Sequence, residues 1–454
     1  MSFITPVHGI RMHWKIRPRQ LASVAIVAGL ALAIAACGSY GKDYPNSTFN
    51  HTTEFNSAII SLWDKLLFWG TVVFVIVESI LIYTIVKFRR RSDADEPKHV
   101  HGNTALEITW TLAPVVILAI IAIPTVQTIF RTQARAVPNA LQVEVIGHQW
   151  WWEFRYPQYT QQGANGRVDT LVTANDLYLP IGRTVNFALK TKDVLHSFWV
   201  PQLGGKRDLI TNHTNYLWFT PDTTLTTSVY NGSCNEYCGA SHANMRFRTF
   251  VVTPTEFEGW VSHQLAPAVF AAAPPAPPTP APDTARGAPA ARQTAGTAAP
   301  APVTPAVAVA QQPAGYTFPM ASLPDHATPD TPTPAGLTFP ENITGDPQRG
   351  AEQFARSACI GCHAIRGTIA TSNIGPNLTH IGTRATLASG IFPNDTRHLR
   401  LWIKNARLMK PGVAMPTLGL GQRDPITGAT VSAGLGGLTD QQVADIVAYL
   451  QALR

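Results

Sequence analysis

Two long apolar runs constrain the fold of this 454-residue chain more than any other feature. Residues 66–86 and 110–130 are each long enough to cross a bilayer as a helix, which takes about 20 predominantly apolar residues. The composition agrees with this, because 45% of the residues are hydrophobic and only 14% are charged. The sequence therefore predicts a membrane-spanning helical hairpin that carries soluble domains.

The segment between the two runs sets the orientation of the hairpin. Its cations are Lys87, Arg89, Arg90, Arg91 and Lys98. The excess of positive charge in cytoplasmic loops places this segment in the cytoplasm, so the chain after residue 130 lies outside. Glu78 interrupts the first run, and an ionisable group at that depth is expected to face a protein partner rather than lipid.

Residues 1–36 have the features of an export signal. A basic region with Lys15, Arg17 and Arg19 precedes an apolar stretch that is short for a membrane span and ends in small residues. The end of the stretch resembles a bacterial lipoprotein signal, with Cys37 as the residue that would be acylated. Ordinary signal cleavage nearby, or an uncleaved anchor, are the alternatives. We expect a bacterial inner-membrane protein whose soluble domains face the periplasm.

The residues after the hairpin divide into three segments by composition. Residues 136–263 contain short runs of β-branched and aromatic residues between turn residues, which predicts a β-sandwich or barrel. Residues 264–343 are dominated by Pro, Ala and Thr and are expected to form a semi-rigid linker with little order. Residues 344–454 have helical patterns, with Thr439 as the N-cap of the last helix. The net charge of +7 includes no long basic run, so nucleic-acid binding is not expected.

The loop at residues 232–245 concentrates soft metal ligands in the β-rich segment. It contains Cys234, Cys238, His242 and Met245, and this combination favours copper. Two cysteines four residues apart suggest two thiolates that bridge two copper ions. A Cys234–Cys238 disulfide and a zinc site are the alternatives.

A binuclear site needs a second histidine from elsewhere in the chain. His196 is the best candidate, because it follows a β-like run and precedes Pro201, and can therefore lie at the end of a strand. The alternatives are His148, His213 and His263.

The C-terminal segment contains a second redox motif. Cys359, Cys362 and His363 form a C-x-x-C-H sequence, whose thiols can attach covalently to haem while the histidine binds the iron. A thioredoxin-like redox pair is the alternative. Residues 375–378 resemble the cytochrome c segment in which a Pro carbonyl accepts a hydrogen bond from the iron-binding histidine.

The second axial ligand of this haem should lie downstream. Met415 lies in a sequence that resembles the axial methionine loop of class I cytochromes c. Met409 competes with it but is better interpreted as a core residue, and His380 and His398 are weaker candidates that we expect at the surface. A haem with His and Met ligands has no open position, so it carries electrons rather than activating a substrate.

Together these motifs resemble subunit II of haem–copper cytochrome c oxidases over about residues 50–260, including residues 147–152 and 193–198. The C-terminal segment resembles the caa3-type variant, in which this subunit carries its own cytochrome c. The resemblance implies a transmembrane hairpin within 37–135, a cupredoxin-like domain at 136–263 and a small all-α cytochrome c domain at 344–454.

The resemblance also implies roles for individual residues. Cys234 and Cys238 would bridge a binuclear copper centre called CuA, and His196 and His242 would each bind one copper. Met245 and the carbonyl of Glu236 would be the weak ligands. The Glu236 carboxylate would face a magnesium ion at the subunit I interface. Two further roles follow: Trp150 would lie where electrons enter, and Glu107 at the mouth of a proton channel. A carboxylate favoured by the helix dipole is the alternative for Glu107.

The expected function is electron transfer within a proton-pumping terminal oxidase. Electrons would pass from the haem to CuA and then to subunit I, where oxygen is reduced to water. Expected partners are subunits I and III, with a quinol–cytochrome c reductase or a soluble cytochrome c as donor. A free-standing membrane-tethered electron carrier and a nitrous-oxide-reductase-like CuA protein are the alternatives. The two helices and Glu107 argue against the second of these.

Overall fold

The computed structural model describes residue 29 and residues 44–90, 92, 101–133, 138–162, 166, 168–268, 315–328 and 330–454. The predicted signal at 1–36, the predicted acylation of Cys37 and the part of the predicted linker at 269–314 lie outside the described residues, apart from Gly29.

Two long helices form the membrane hairpin. Helix α1 spans Glu54–Lys87 and helix α2 spans Thr104–Gln133, and both are long and apolar enough to cross a membrane. Each extends beyond the predicted runs at 66–86 and 110–130, because helix geometry continues into the polar residues at both ends. At 1.5 Å per residue α1 is about 50 Å long, which exceeds the roughly 30 Å hydrocarbon core.

The first turn of α1 is embedded in the soluble part of the chain. The Thr53 side chain caps the helix by accepting a hydrogen bond from Asn56 N, and also donates to the Leu203 carbonyl. Phe55 is buried and packs edge-on against Trp218. A Cβ at Gly205 would lie 3.0 Å from the Phe55 ring, so a glycine permits this close approach. The membrane hairpin is therefore attached to the next domain by a buried contact.

The domain after the hairpin consists of two five-stranded sheets packed face to face. The first sheet has the order β3–β2–β1–β5–β8 and the second has the order β4–β10–β9–β6–β7. The strands are β1 Leu141–His148, β2 Trp151–Gln162, β3 Val168–Ala174, β4 Asp176–Pro180, β5 Val185–Thr191, β6 His196–Trp199, β7 Arg207–Leu209, β8 Asn215–Phe219, β9 Ser228–Cys234 and β10 Arg246–Val252. This architecture agrees with the predicted β-sandwich.

Alternation along the strands builds the core between the sheets. Leu141, Val143 and Val145 of β1 are fully buried, whereas the intervening Gln142 and Glu144 are only partly buried. Aromatic rings fill the centre of the sandwich, and Phe198 stacks on Phe247 with ring centroids 5.0 Å apart. Two of the pairings, β1 with β5 and β4 with β10, are parallel.

Helix α3, Pro254–Leu265, follows the last strand and covers one end of the sandwich. Residues 315–328 pack beside it, where Phe318 contacts the ring of Phe250 at 5.2 Å between centroids. The prediction of a weakly ordered linker from 264 to 343 is therefore wrong for 315–328. Tyr316 and Phe318 bring apolar surface that the Pro/Ala-rich part of the segment lacks, and this surface joins the sandwich core.

Helices are the main regular elements of the C-terminal domain, as predicted. Its elements are α4 Pro347–Arg356, the two-residue strands β11 Thr386–Leu387 and β12 Phe392–Pro393, α5 Thr396–Lys404, α6 Ala406–Met409 and α7 Asp440–Ala452. Thr439 caps α7 as expected, in a reciprocal capping box with Gln442. Helices α4 and α7 cross at Gly350, where an added Cβ would lie 1.9 Å from the Asp445 carbonyl oxygen.

We predict that Gly350→Ala destabilises the C-terminal domain, because the crossing of α4 and α7 would have to open. Overpacking against backbone costs about 3 kcal/mol, which outweighs the gain of about 1 kcal/mol from the better helix former. Faster hydrogen exchange of the α7 amides in the full chain would report the loss. Gly434→Ala is the matched control, because no atom lies within 4 Å of its added Cβ. Equal exchange in both variants would contradict the prediction.

Candidate electron-transfer site

The cysteine-rich loop connects two neighbouring strands of the second sheet. Cys234 is the last residue of β9, and Met245 directly precedes β10. A backbone hydrogen bond of 3.0 Å from Cys234 N to the Met245 carbonyl closes the base of the loop. The two ends are therefore fixed by the sheet, and the ligand residues between them are confined to a small volume.

The structure brings the predicted copper-binding side chains together. The Sγ atoms of Cys234 and Cys238 lie 3.7 Å apart. Cys234 Sγ lies 3.8 Å from His196 Nδ1, and Cys238 Sγ lies 3.6 Å from His242 Nδ1. Met245 Sδ is 3.9 Å from Cys238 Sγ. The Glu236 carbonyl is 3.3 Å from Cys234 Sγ, so the other four predicted donors surround the pair of cysteine sulfurs.

This donor set fits copper. Sulfurs 3.7 Å apart are too distant for an S–S bond of about 2.05 Å, but two such thiolates can share a metal at a bond length of about 2.3 Å. The thioether of Met245 is a soft ligand that favours copper over zinc. Each cysteine has its own histidine neighbour, as a two-metal arrangement requires.

The pKa values of the two thiols are shifted in opposite directions. A hydrogen bond from Cys238 lowers the pKa of Cys234 to about 4, and hydrogen bonds with His196 and backbone groups contribute to the shift. The neighbouring Cys234 thiolate in turn raises the pKa of Cys238. The Cys234 thiolate is therefore the favoured one of the two, and metal binding would displace the proton of Cys238 to complete a dithiolate.

His196 is the histidine that the loop lacked. It is fully buried at the start of β6, and Gly147 makes room for its ring, since an added Cβ there would lie 2.6 Å from it. Asp193 accepts a hydrogen bond of 2.8 Å from His196 Nε2, which leaves Nδ1 directed toward Cys234. Sequence reasoning missed Asp193, although its position three residues before a candidate ligand was a usable signal.

The three other histidines considered as the second copper ligand make different contacts. His148 is hydrogen-bonded to Glu153 and stacks on Trp151, and His213 is exposed. His263 is buried beside His380, with ring centroids 4.4 Å apart.

The C-x-x-C-H motif lies just after α4. Cys359 belongs to a short 3-10 helix at Ala358–Gly361, which brings Cys362 and His363 close behind it. His363 Nδ1 lies 2.7 Å from the Pro376 carbonyl, as the cytochrome c resemblance implied. This hydrogen bond leaves Nε2 available for iron. Burial lowers the pKa of His363, which favours the neutral imidazole that binds metals. The donor set therefore fits a covalent haem.

The candidates for the other axial ligand differ in their surroundings. Met409 is buried in the domain core, as predicted. Met415 is partly buried in a loop that Arg407 supports through hydrogen bonds to the carbonyls of Val413 and Ala414. His398 is hydrogen-bonded to Asp395. The expectation that His380 is a surface residue is wrong, because it is 3% exposed between the domains and contacts the Ala266 carbonyl.

Trp150 lies between the copper loop and the loop of Met415. Its indole Nε1 donates a hydrogen bond of 2.9 Å to the Cys238 carbonyl. On the other side, an added Cβ at Gly412 would lie 2.7 Å from the ring, so Gly412 lies directly against it. Ser241, next to His242, donates a hydrogen bond of 2.6 Å to the Pro411 carbonyl. The copper loop and the Met415 loop are therefore adjacent in the fold although more than a hundred residues separate them.

The two remaining predicted site residues lie at the surface. The side chain of Glu236 is exposed beside the copper loop, and the neighbouring Tyr237 is 76% exposed. Glu107 lies in the first turn of α2 and is exposed. This position is compatible with a place at the mouth of a proton channel and equally with a carboxylate that the helix dipole favours.

Comparisons with known protein families cover the three parts of the chain. Residues 49–128 match the transmembrane domain of cytochrome c oxidase subunit II, and residues 141–252 match its periplasmic domain. Residues 347–454 match the cytochrome c family.

Individual relatives agree. Cytochrome c oxidase subunit 2 of Alkalihalophilus pseudofirmus is 28% identical over 386 residues, which are 84% of this chain and 82% of the relative. The probable subunit 2 of Rickettsia bellii is 33% identical over 211 residues, 44% of this chain and 76% of the relative. Subunit 2 of Arabidopsis thaliana is 30% identical, covering 47% of this chain and 87% of the relative.

The chain belongs to the cytochrome c oxidase subunit 2 family.

Membership in this family decides between the functions considered above. Subunit 2 works with subunit I in a haem–copper oxidase complex, so neither the free-standing carrier nor the nitrous-oxide-reductase-like protein describes this chain. It is anchored in a membrane by two helices. The fused cytochrome c domain and the subunit 2 domain together imply haem c and copper.

We predict that Met415→Leu perturbs the low-spin absorption spectrum of the haem, because the thioether would be lost. Met409→Leu is the matched control: it changes a core side chain at nearly constant volume and should cost less than about 1.5 kcal/mol in stability. Its haem spectrum should be unchanged. The reverse pattern would show that Met409 is the ligand.

Proposed function

We propose that this subunit 2 receives electrons at its own haem c and passes them through a binuclear copper centre to subunit I. The observation that carries the proposal is Trp150, whose indole contacts Cys238 of the copper loop on one side and Gly412 of the haem domain on the other. When bound, the haem and the copper pair would each take up and release one electron.

The residues that would hold the two groups follow from the donor sets. Copper would be held by His196, Cys234, Cys238, His242, Met245 and the Glu236 carbonyl, and haem by Cys359, Cys362, His363 and Met415. Little of this protein scaffold needs to move during electron transfer. Cys234, Cys238 and Met245 are buried, and the sheet fixes both ends of their loop. A rigid ligand set keeps the cost of reorganisation low.

Three further roles are part of the proposal. The Glu236 carboxylate would bind magnesium at the interface with subunit I, and its exposure beside the copper loop supports this. Glu107 would lie at the mouth of a proton channel, and Cys37 would be lipidated.

We further propose the cellular setting. The hairpin would lie in a bacterial inner membrane with the copper and haem domains on the periplasmic side, which the basic residues between the helices support. Subunit III would belong to the same complex. The electron donor would be a quinol–cytochrome c reductase or a soluble cytochrome c.

Metal analysis of the purified complex tests the cofactor assignment. We expect two copper atoms bound by this chain and one covalent haem per chain, once the metals of subunit I are subtracted. A single copper with a blue-copper spectrum would contradict the binuclear assignment.

Substitution of Trp150 tests the electron route. In the intact complex, Trp150→Leu should slow electron transfer from haem to copper on the order of tenfold, because small changes in separation between reacting groups cost rate steeply. The haem and copper spectra should be unchanged. Trp151→Leu is the matched control, because Trp151 stacks on His148 instead. Wild-type transfer in Trp150→Leu would exclude this route.

A further inference from the structure

A short loop of the haem domain contacts the copper domain in an unusual backbone conformation. Residues 388–390 connect β11 to β12, and all three have positive φ angles: 53° at Ala388, 67° at Ser389 and 75° at Gly390. Two of these residues have side chains, for which this conformation is unfavourable. The surrounding contacts must therefore maintain it.

Those contacts lie largely across the domain boundary. Ser389 Oγ donates a hydrogen bond of 2.8 Å to the Trp150 carbonyl, and the Ser389 carbonyl accepts one of 3.2 Å from Arg246 N. The Gly390 carbonyl accepts one of 2.8 Å from Arg248, whose side chain is 1% exposed. The left-handed loop therefore presents one donor and two acceptors to the copper domain.

Lys410 completes the junction from the loop that carries Met415. Its ammonium donates to the Trp150 carbonyl at 2.6 Å, to the Ala388 carbonyl at 3.0 Å and to Ser389 Oγ at 2.9 Å. Three donors thus have three acceptors, which a buried ammonium requires. Lys410 is 1% exposed and joins the Met415 loop, the 388–390 loop and Trp150.

We propose that residues 388–390 and Lys410 form a docking latch that positions the haem domain over Trp150. Ser389 and Lys410 both bind the Trp150 main chain, and the indole of that residue lies between the copper loop and the Met415 loop. The latch thus selects one orientation, in which the Met415 loop covers Trp150 and leaves it 8% exposed. An electron carrier from outside then reaches the copper loop through the haem rather than through Trp150. This inference rests on the electron route proposed above.

Lys410→Met in the intact oxidase complex tests the latch. We expect haem-to-copper transfer, followed after rapid reduction of the haem, to slow by about tenfold or more, because the domains would spend less time correctly docked. The spectra of haem and copper should stay at wild-type values. The copper reduction potential should fall, because Lys410 interacts electrostatically with Cys238, and Ser389→Ala, which removes no charge, separates this effect from docking. If Lys410 only stabilised the haem domain, a Lys410→Met variant with intact spectra would transfer electrons at the wild-type rate.

Lys404→Met is the matched control. Lys404 is also a buried lysine of the haem domain, but it pairs with Asp440 at 2.8 Å and the Thr338 carbonyl, within the C-terminal region. Its variant should transfer electrons at the wild-type rate. Equal slowing in both lysine variants would overturn the proposal, because the loss of any buried lysine would then be enough to slow haem-to-copper transfer.

If Lys410→Met changes the haem spectrum, Ser389→Ala provides the test of the latch. It removes the hydroxyl that contacts the Trp150 carbonyl and Lys410 but changes no residue of the Met415 loop, so transfer should again slow with intact spectra. Wild-type transfer in Ser389→Ala would overturn the latch. If Trp150→Leu slows transfer but neither latch variant does, only the latch fails; if all three leave the rate unchanged, the route itself fails.

Discussion

The indole of Trp150 is the contact that joins the copper loop to the Met415 loop of the haem domain. Its hydrogen bond to the Cys238 carbonyl ties it to the copper loop, and Gly412 lies against its other face. A single aromatic side chain therefore lies between two loops that belong to different domains.

The positions of the ligands in the copper loop are fixed by the sheet rather than by the sequence of the loop itself. Strands β9 and β10 pair in register and fix the ends of the loop, while β6 brings His196 from a distant part of the chain. Asp193 then orients His196 by accepting from its Nε2, and Gly147 provides the space for its ring. These contacts hold the two buried thiols close together.

The membrane hairpin and the segment at 315–328 both pack against the core of the copper domain. Phe55 inserts the start of α1 into the sandwich core, so the copper loop has a fixed position relative to the membrane. Phe318 and Ala327 tie the chain just before the haem domain to the same core. The connection from Ala327 to the haem domain is therefore short, which raises the effective concentration of the haem domain near Trp150.

The sequence by itself determined the parts of this protein whose chemistry is local. The C-x-x-C-H motif, the ligands between Cys234 and Met245, the membrane runs and the cap at Thr439 depend on residues close together in the chain, so spacing alone predicts them. Only the tertiary structure decided how these parts meet. The roles of Lys410 and the loop at 388–390 depend on contacts with residues remote in sequence, and Asp193 acts on a histidine whose own role depends on Cys234. His380 is buried between the domains, although a histidine in such a sequence is expected at the surface. The order of 315–328 was missed for the same reason: a Pro/Ala-rich composition describes what a segment can bury alone, whereas Tyr316 and Phe318 bury their rings against a surface that another domain supplies.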